Sequence, residues 1–382
     1  MNNSAGDTMT NDYETIIIGA GGTGSAAAYQ LARQGRSVLL LEQFEVGHTR
    51  GSSHGESRII RLSYDAPTYV QLAQATYRLW AAASDDLGQP LITPTGGLDL
   101  SAPHNPVFEA CVAALAQLNI PHEVLDATDL RRRFPQYHIA ADTIGLYQAD
   151  AGMLNPGQCV TALTARAIQY GAHVQDHTAA RLIRVHDRGV EVTTDTATYR
   201  GRKLIISAGA WTKPLLQSLG VDLPLIVTQE QYAFFEVQPA DRFQPDQFPI
   251  FIHYGQPSGA ERIDYYGFPV FGRAGLKVGE HHAGPAVTAD TRSFEVDPVR
   301  LQRLTDYVRA TFPAASGEVL HAVTCLYTNT PDQHFIIDTL PGRPHVIVAS
   351  PCSGHGFKFS ILIGQILADL AVRGETAYPI EM

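Results

Sequence analysis

Two glycine-rich runs carry the clearest chemistry in this sequence. In Gly19-Ala-Gly-Gly-Thr-Gly24 the glycines stand in the order G-x-G-x-x-G. Gly19 allows a tight turn, Gly21 lets the backbone approach a pyrophosphate, and Gly24 permits close packing of a helix on a strand. Glu42 closes the next apolar run, where it can accept hydrogen bonds from a ribose. The second run, Cys352-Ser-Gly-His-Gly-Phe-Lys-Phe359, would aim backbone amides at an electron-rich ligand. A plain turn followed by a packed helix is the competing reading. Lys277 sits in Gly-Leu-Lys-Val-Gly, an apolar strand-like setting where a charged side chain needs a reason. A strand-end lysine reaching solvent is the alternative.

The flanking residues supply the elements that hold these groups. Thr15 to Ile18 is a β-branched apolar run suited to a strand buried on both faces. Ser25 to Arg33 reads as a helix rich in small residues, with Gly35 as its stop. Ser37 to Leu41 is a second buried strand. Strand, glycine turn, helix and strand with a terminal acid form the context a dinucleotide-binding unit requires. The helix N-terminus offers free N–H groups and a positive dipole end to phosphates. Lys203 to Trp211 and His345 to Ala349 read as further strands of the same sheet, and Ser360 to Val372 as a helix.

Composition bounds the remaining choices. The chain has 382 residues, 45% hydrophobic and 17% charged, which suits about two globular domains. No apolar run is long enough for a membrane span, and the polar opening MNNSAGDTMTND reads as a tail rather than a signal peptide. A cytoplasmic, monomeric protein is expected. A formal net charge of −10 disfavours nucleic acid and anionic membranes as partners. The cysteines at 111, 159, 325 and 352 include no C-x-x-C pair, which argues against a zinc site and leaves no metal expected. The basic run Arg131 to Arg133, before Pro135, reads as a solvated helix end.

Taken together, the motifs resemble the monomeric sarcosine oxidase and N-methyltryptophan oxidase family of flavoproteins. Besides the fingerprint, the resemblance rests on His54-Gly-Glu-Ser-Arg-Ile-Ile-Arg61, Tyr266-Gly-Phe-Pro269, Gly275-Leu-Lys-Val-Gly-Glu-His281, Cys325-Leu-Tyr-Thr-Asn-Thr-Pro-Asp-Gln-His-Phe335 and Ser353-Gly-His-Gly-Phe-Lys-Phe359, in family order across nearly the whole chain. It implies FAD as cofactor, tethered through a thioether at Cys325. Cofactor contacts then carry over to His54, Arg58, Gly354, His355, Gly356, Phe357 and Lys358. It also implies that Arg61 and Lys358 hold a substrate carboxylate, that Lys277 assists the reaction with oxygen on the opposite flavin face, and that Tyr266 and His281 line the substrate side. If the stretch around Cys325 is extended, Tyr327 shares its face and reaches the flavin or the substrate pocket. A core tyrosine is the other reading of Tyr327, and the adjacent His282 competes with His281. Whether Arg58 and Arg61 share a face depends on whether their stretch is helical.

The implied reaction oxidises the C–N bond of a secondary amino acid to an imine and reduces O2 to H2O2. Its partners would be a small amino acid and O2. Rival readings are a non-covalent D-amino-acid or glycine oxidase, a dehydrogenase that passes electrons to a protein carrier, and a non-catalytic nucleotide-binding protein. Ser53 stands where many relatives carry histidine, and His253 to Asp264 is long and polar, with turn residues Pro257, Ser258 and Gly259. Both departures leave the substrate open. The expected fold is a Rossmann-like FAD-binding domain (12–92, 151–224, 320–382) interleaved with an antiparallel-sheet substrate domain (93–150, 225–319).

Overall fold

The fingerprint's strand, Asp12–Ile18, lies at the centre of a largely parallel sheet. Val38–Leu41 pairs with it on one side and Thr198–Ile206 on the other, both parallel, with Ile18 opposite Leu41 and Ile206. His173–Gln175 extends the first edge, and Arg343–Ser350 pairs in parallel with the end of Thr198–Ile206. An antiparallel hairpin of Leu182–His186 and Gly189–Thr193 also joins this sheet, as does Ile336–Leu340. The computed structural model describes residues 11–258 and 261–381. The tail at residues 1–10 and Gly259 of the expected turn lie outside the described residues.

Helix Gly22–Arg33 leaves the central strand directly. Its residues Ala26 to Tyr29 are completely buried between the sheet and the helices Pro156–Gln169 and Ser360–Arg373. The small side chains explain that depth, because they let neighbouring backbones come close. Gly24 is the tightest point: a Cβ there would run into the Gly19 carbonyl oxygen. Beyond Ile206 the chain does not continue as a strand. Gly209–Trp211 forms a single 3₁₀ turn, shorter than the strand expected through Trp211.

A second sheet has nine strands. Its order begins at Ala286–Val287 and passes through Ile226–Val237, Leu276–His281, Glu261–Phe268, Ile250–Ser258, Gly97–Ser101 and Ile144–Gln148 to Glu123–Leu125. Ala315–Asn329 pairs along the other edge of Ile226–Val237. Every pairing is antiparallel but one: Ile250–Ser258 runs parallel to Gly97–Ser101, so the sheet is mixed where an antiparallel one was expected. The expected boundary at residue 320 also falls inside the 15-residue strand Ala315–Asn329. That strand pairs with Ile226–Val237 from Ala315 to Asn329, so Cys325 and Tyr327 come from this sheet and not from the parallel one. Helix Pro298–Thr311 covers one face through Leu304, Val308 and Tyr307. The other face looks toward the parallel sheet.

Arg58–Ile60 is extended and forms a small sheet with Gly152–Leu154 and Ile92–Pro94. The stretch is therefore not helical: Arg58 lies on the strand, Arg61 directly follows it, and both line the cavity between the two larger sheets. Arg131 to Arg133 do end a short helix, Ala127–Arg133, where Arg132 pairs with Asp129 and Arg133 with Glu123 near the surface. Among the described residues no helix is long and apolar enough to cross a membrane, and no cluster of His, Cys, Asp or Glu could hold a metal ion.

Candidate active site

A continuous cleft runs between the two sheets. Its outer part, about 380 Å³, is lined by Gly19 to Thr23, Glu42, Thr178 to Arg181 and Ser207 to Trp211. Its inner part, about 640 Å³, reaches from Gly22 and Ser53 to Lys358 and His281. Gly22, Thr23, Ser52, Ser53 and Cys352 line both.

The outer part is built from backbone. Gly21 caps helix Gly22–Arg33 with no side-chain bond, which leaves first-turn N–H groups at the cleft. The Gly22 N–H donates to Ser53 Oγ at 3.0 Å. Glu42 is buried, and its carboxylate accepts from the N–H of Ala20 at 2.8 Å and of Phe44 at 3.1 Å, with His48 Nε2 at 3.4 Å. Burial opposes its charge, but the bonds from His48, Ala20 and Phe44 prevail and hold its pKa below the usual carboxylate range. A groove lined by both free helix N–H groups and a fixed carboxylate fits a dinucleotide.

The inner part is built from side chains. On strand Leu276–His281 the alternation puts Lys277, Gly279 and His281 on one face. Tyr266 lies across Gly279, where a Cβ would come within 2.6 Å of its ring, so only glycine admits the tyrosine. Cys325 and Tyr327 share a face with Tyr232 and Phe234, as period two demands. The turn at Gly354 abuts this wall: a Cβ there would sit 2.5 Å from the Tyr327 ring and 2.7 Å from the His281 ring. Phe357 packs over Gly22 in the same way, 2.9 Å from a Cβ placed there, and so joins the two parts of the cleft. His281 Nδ1 and the Tyr327 hydroxyl are 3.4 Å apart. Burial, then His282, pushes the His281 pKa well down, so its ring is neutral. Burial raises the phenol pKa of Tyr266 and Tyr327.

Four cationic or imidazole groups surround the Cys325 end. Arg58 donates to the Ser57 and Ser52 carbonyls, each at 2.9 Å, and lines the cavity. Lys277 is 2% exposed and lies one layer back; its Nζ donates to Ser57 O at 3.0 Å and Ser57 Oγ at 3.2 Å, over the rings of Tyr232 and Phe268. It has no carboxylate partner among the described residues, and burial followed by Arg58 drives its pKa well below the lysine range. His54 is buried rather than cavity-lining, and its Nε2 has no hydrogen-bond partner among the described residues. Burial and then Arg58 lower the His54 pKa to about 3. Arg292, not anticipated from sequence, donates to the Thr324 and Arg50 carbonyls beside the same cysteine. Cys325 is a free, buried thiol whose pKa is raised by burial against the pull of Arg58.

The other end holds Arg61 and Lys358. Arg61 Nη1 bonds Asp99 Oδ2 at 2.5 Å, Ser63 Oγ at 2.9 Å and the Tyr254 hydroxyl at 3.1 Å. Lys358 Nζ donates to the Tyr64 hydroxyl at 2.7 Å and the His355 carbonyl at 3.1 Å. His355 stacks on Phe335, and its ring nitrogens reach the Tyr64 hydroxyl at 3.4 Å and the Gln333 carbonyl at 3.1 Å. The indole of Trp80 donates to the Lys358 carbonyl at 2.8 Å and fixes the turn from behind. Asp99, Tyr64 and Tyr254 went unnoticed in the sequence. Asp99 does carry the signal that drew attention to Lys277, a charge in the otherwise apolar run Gly97-Leu-Asp-Leu.

A family model for FAD-dependent oxidoreductases, designated DAO, matches residues 14–370. The chain belongs to this family. It is 38% identical over 376 residues to a monomeric sarcosine oxidase of Streptomyces avermitilis, covering 97% of each chain. It is 34% identical over 372 residues to an N-methyl-L-tryptophan oxidase of Salmonella enteritidis, covering 96% of each. Among solved structures, NikD, an amino acid oxidase of nikkomycin biosynthesis, superposes with a TM-score of 0.87 at 27% identity, over 97% of this chain and 96% of that one. The protein is therefore an FAD-dependent oxidoreductase.

Proposed function

We propose that the protein is an FAD-dependent amine oxidase that converts a secondary amino acid, N-methyl or cyclic, to its imine and passes the electrons to O2. The observation that carries this reading is the polarity of the inner cavity: Arg61 and Lys358 at one end, and Lys277 with Arg58 near Cys325 at the other. Bound FAD supplies the hydride acceptor and the electron store. The chain's own part is to grip, orient and keep water out. Arg61 and Lys358 face a substrate carboxylate with charge-assisted donors, and the aromatic wall of Tyr64, Tyr254 and Tyr266 excludes water around the amine. Lys277, fixed by Ser57 and with no carboxylate in ion-pair range among the described residues, stabilises negative charge developing on oxygen. His54 and Arg58 would border the flavin, as would the turn from Gly354 through Lys358.

Cys325 is the residue we assign to covalent attachment of the flavin. It lines the cavity, and Arg58, Lys277 and Arg292 all favour its thiolate over the thiol. Precipitating the yellow protein with acid tests this directly. Colour is expected to remain in the pellet for the wild type and to move to the supernatant for Cys325→Ser. The oxidase reading itself is tested by peroxide release with a panel of N-methyl and cyclic amino acids. No peroxide from any of them would remove it, and a non-covalent yellow protein that makes peroxide would remove the tether alone.

A further inference from the structure

The carboxylate end of the cavity contains two buried basic side chains, Arg61 and Lys358, and one buried acid, Asp99. Asp99 lies 2.5 Å from Arg61, and no Asp or Glu of the described residues is in ion-pair range of Lys358. Arg61 and Asp99 therefore cancel. The Arg61 pKa stands well above its ordinary value because Asp99 outweighs burial, and Asp99, which burial pushes up, is kept ionised by the guanidinium. The two acceptors of Lys358, a phenol oxygen and a carbonyl, are both uncharged.

Asp65 and Asp332 also line the cavity, but both are exposed to solvent and outside ion-pair range of Lys358, and the buried groups around it bring no charge. Tyr64, from the segment after Arg58–Ile60, and Tyr69, from helix Pro67–Leu87, have phenol pKa values raised by burial, Tyr69 to about 12. His281, on strand Leu276–His281, is neutral, and His355 of the same turn is lowered by burial and then Lys358 to about 3. Its neutral state also matches its bonds, with Nε2–H donating to the Gln333 carbonyl while Nδ1 faces the Tyr64 hydroxyl. An ammonium at 358 would thus be a buried charge without a partner, which is costly, until a ligand brings a negative group.

We propose that Lys358 is the proton acceptor of the substrate-binding step. A carboxylate entering beside it draws a proton onto Nζ. With a zwitterionic amino acid, that proton is the substrate's own ammonium proton. One N–H bond of the substrate breaks, one N–H bond of Lys358 forms, and no electrons change hands. The amine is thereby delivered uncharged, the state in which it can give up a hydride, while Lys358 and the carboxylate become an ion pair. The substrate's identity in this step rests on the amine-oxidase reading; the coupling of carboxylate to proton does not.

The test compares the holoenzyme's binding of furan-2-carboxylate, which has no ammonium, with anaerobic flavin reduction by N-methylglycine. Calorimetry at pH 8 in two buffers of different ionisation enthalpy is expected to show about one proton taken up per furan-2-carboxylate bound, with Kd rising about tenfold per pH unit. The apparent Kd of N-methylglycine is expected to stay flat over that range, because it carries its own proton. Lys358→Arg, permanently charged, should bind furan-2-carboxylate with no proton uptake, whereas Tyr64→Phe should retain the uptake. Binding without uptake in the wild type, or uptake that survives in Lys358→Arg, would overturn the proposal. Failure of furan-2-carboxylate to bind at all also overturns it, and takes the carboxylate site with it. Absence of flavin reduction by any amine, with proton uptake intact, would instead sink only the proposed function.

Discussion

The two glycine-rich turns of this protein leave the same sheet at the same end and do different work. The turn from Gly19 to Gly24 presents backbone N–H groups to a groove, and its neighbours Ser53 and Glu42 only trim and frame it. The turn from Ser353 to Phe359 presents a basic side chain, and meets Tyr64, Tyr327 and His281 arriving from other parts of the chain. The first binds by shape and backbone dipoles, so it tolerates few side chains. The second acts by charge held away from water, so it depends on which charges are left unpaired. Variants in the two regions should therefore fail differently: in the groove by losing cofactor, in the cavity by losing rate.

The largest separation is expected at Lys277. Lys277→Met removes a buried basic group that donates to Ser57 and lies over the rings of Tyr232 and Phe268. Reoxidation of the reduced flavin by O2 should fall about 10²–10³-fold, the usual scale for losing one preorganised electrostatic donor. Anaerobic flavin reduction by the amine should change little. Stopped-flow traces of the two half-reactions measure the split. An equal loss in both would place Lys277 with the substrate and erase the distinction between the two ends of the cavity.

A second, intermediate effect concerns the groove. Glu42→Gln loses a buried charge that accepts two backbone N–H bonds. FAD affinity should weaken tenfold or more, on the order of 1.5–3 kcal/mol for hydrogen bonds to a charged group. In an otherwise wild-type chain a tether at Cys325 would mask the loss, so the comparison belongs in a Cys325→Ala background. Flavin fluorescence after dilution reads it. Equal retention by Cys325→Ala with and without Glu42→Gln would show that the groove does not hold the dinucleotide.

The contrast between the regions also explains what could be read from the sequence. The groove was legible because one local segment, strand through Glu42, contains nearly all of it, and hydrophobic period and glycine spacing are local signals. Lys277, His281, Cys325 and Tyr327 were legible as motif members, and extended chain in both strands put each pair on one face. What could not be read was pairing. Arg61 meets Asp99 across 38 positions and Tyr254 across 193, and nothing local announces either contact. The long strand Ala315–Asn329 was misdivided for the same reason, since only its partner Ile226–Val237 shows to which sheet it belongs. The single parallel pair in the second sheet likewise follows from topology and leaves no trace in strand composition.

The smallest predicted effect tests whether the groove's framing residues matter at all. Ser53 accepts the Gly22 N–H at 3.0 Å, at the point where groove and cavity join. Ser53→Ala leaves that donor without its acceptor, a cost of about 1 kcal/mol. The cost should not be uniform. If Gly22 belongs to the phosphate cradle, bound FAD can use the freed N–H, and the loss should be greater in the flavin-free form than in the loaded one. Thermal unfolding of Ser53→Ala in the Cys325→Ala background, stripped and reloaded, measures the difference. Equal losses with and without FAD would mean that the Gly22 N–H serves only the turn, and that the cradle begins at the next residues of helix Gly22–Arg33.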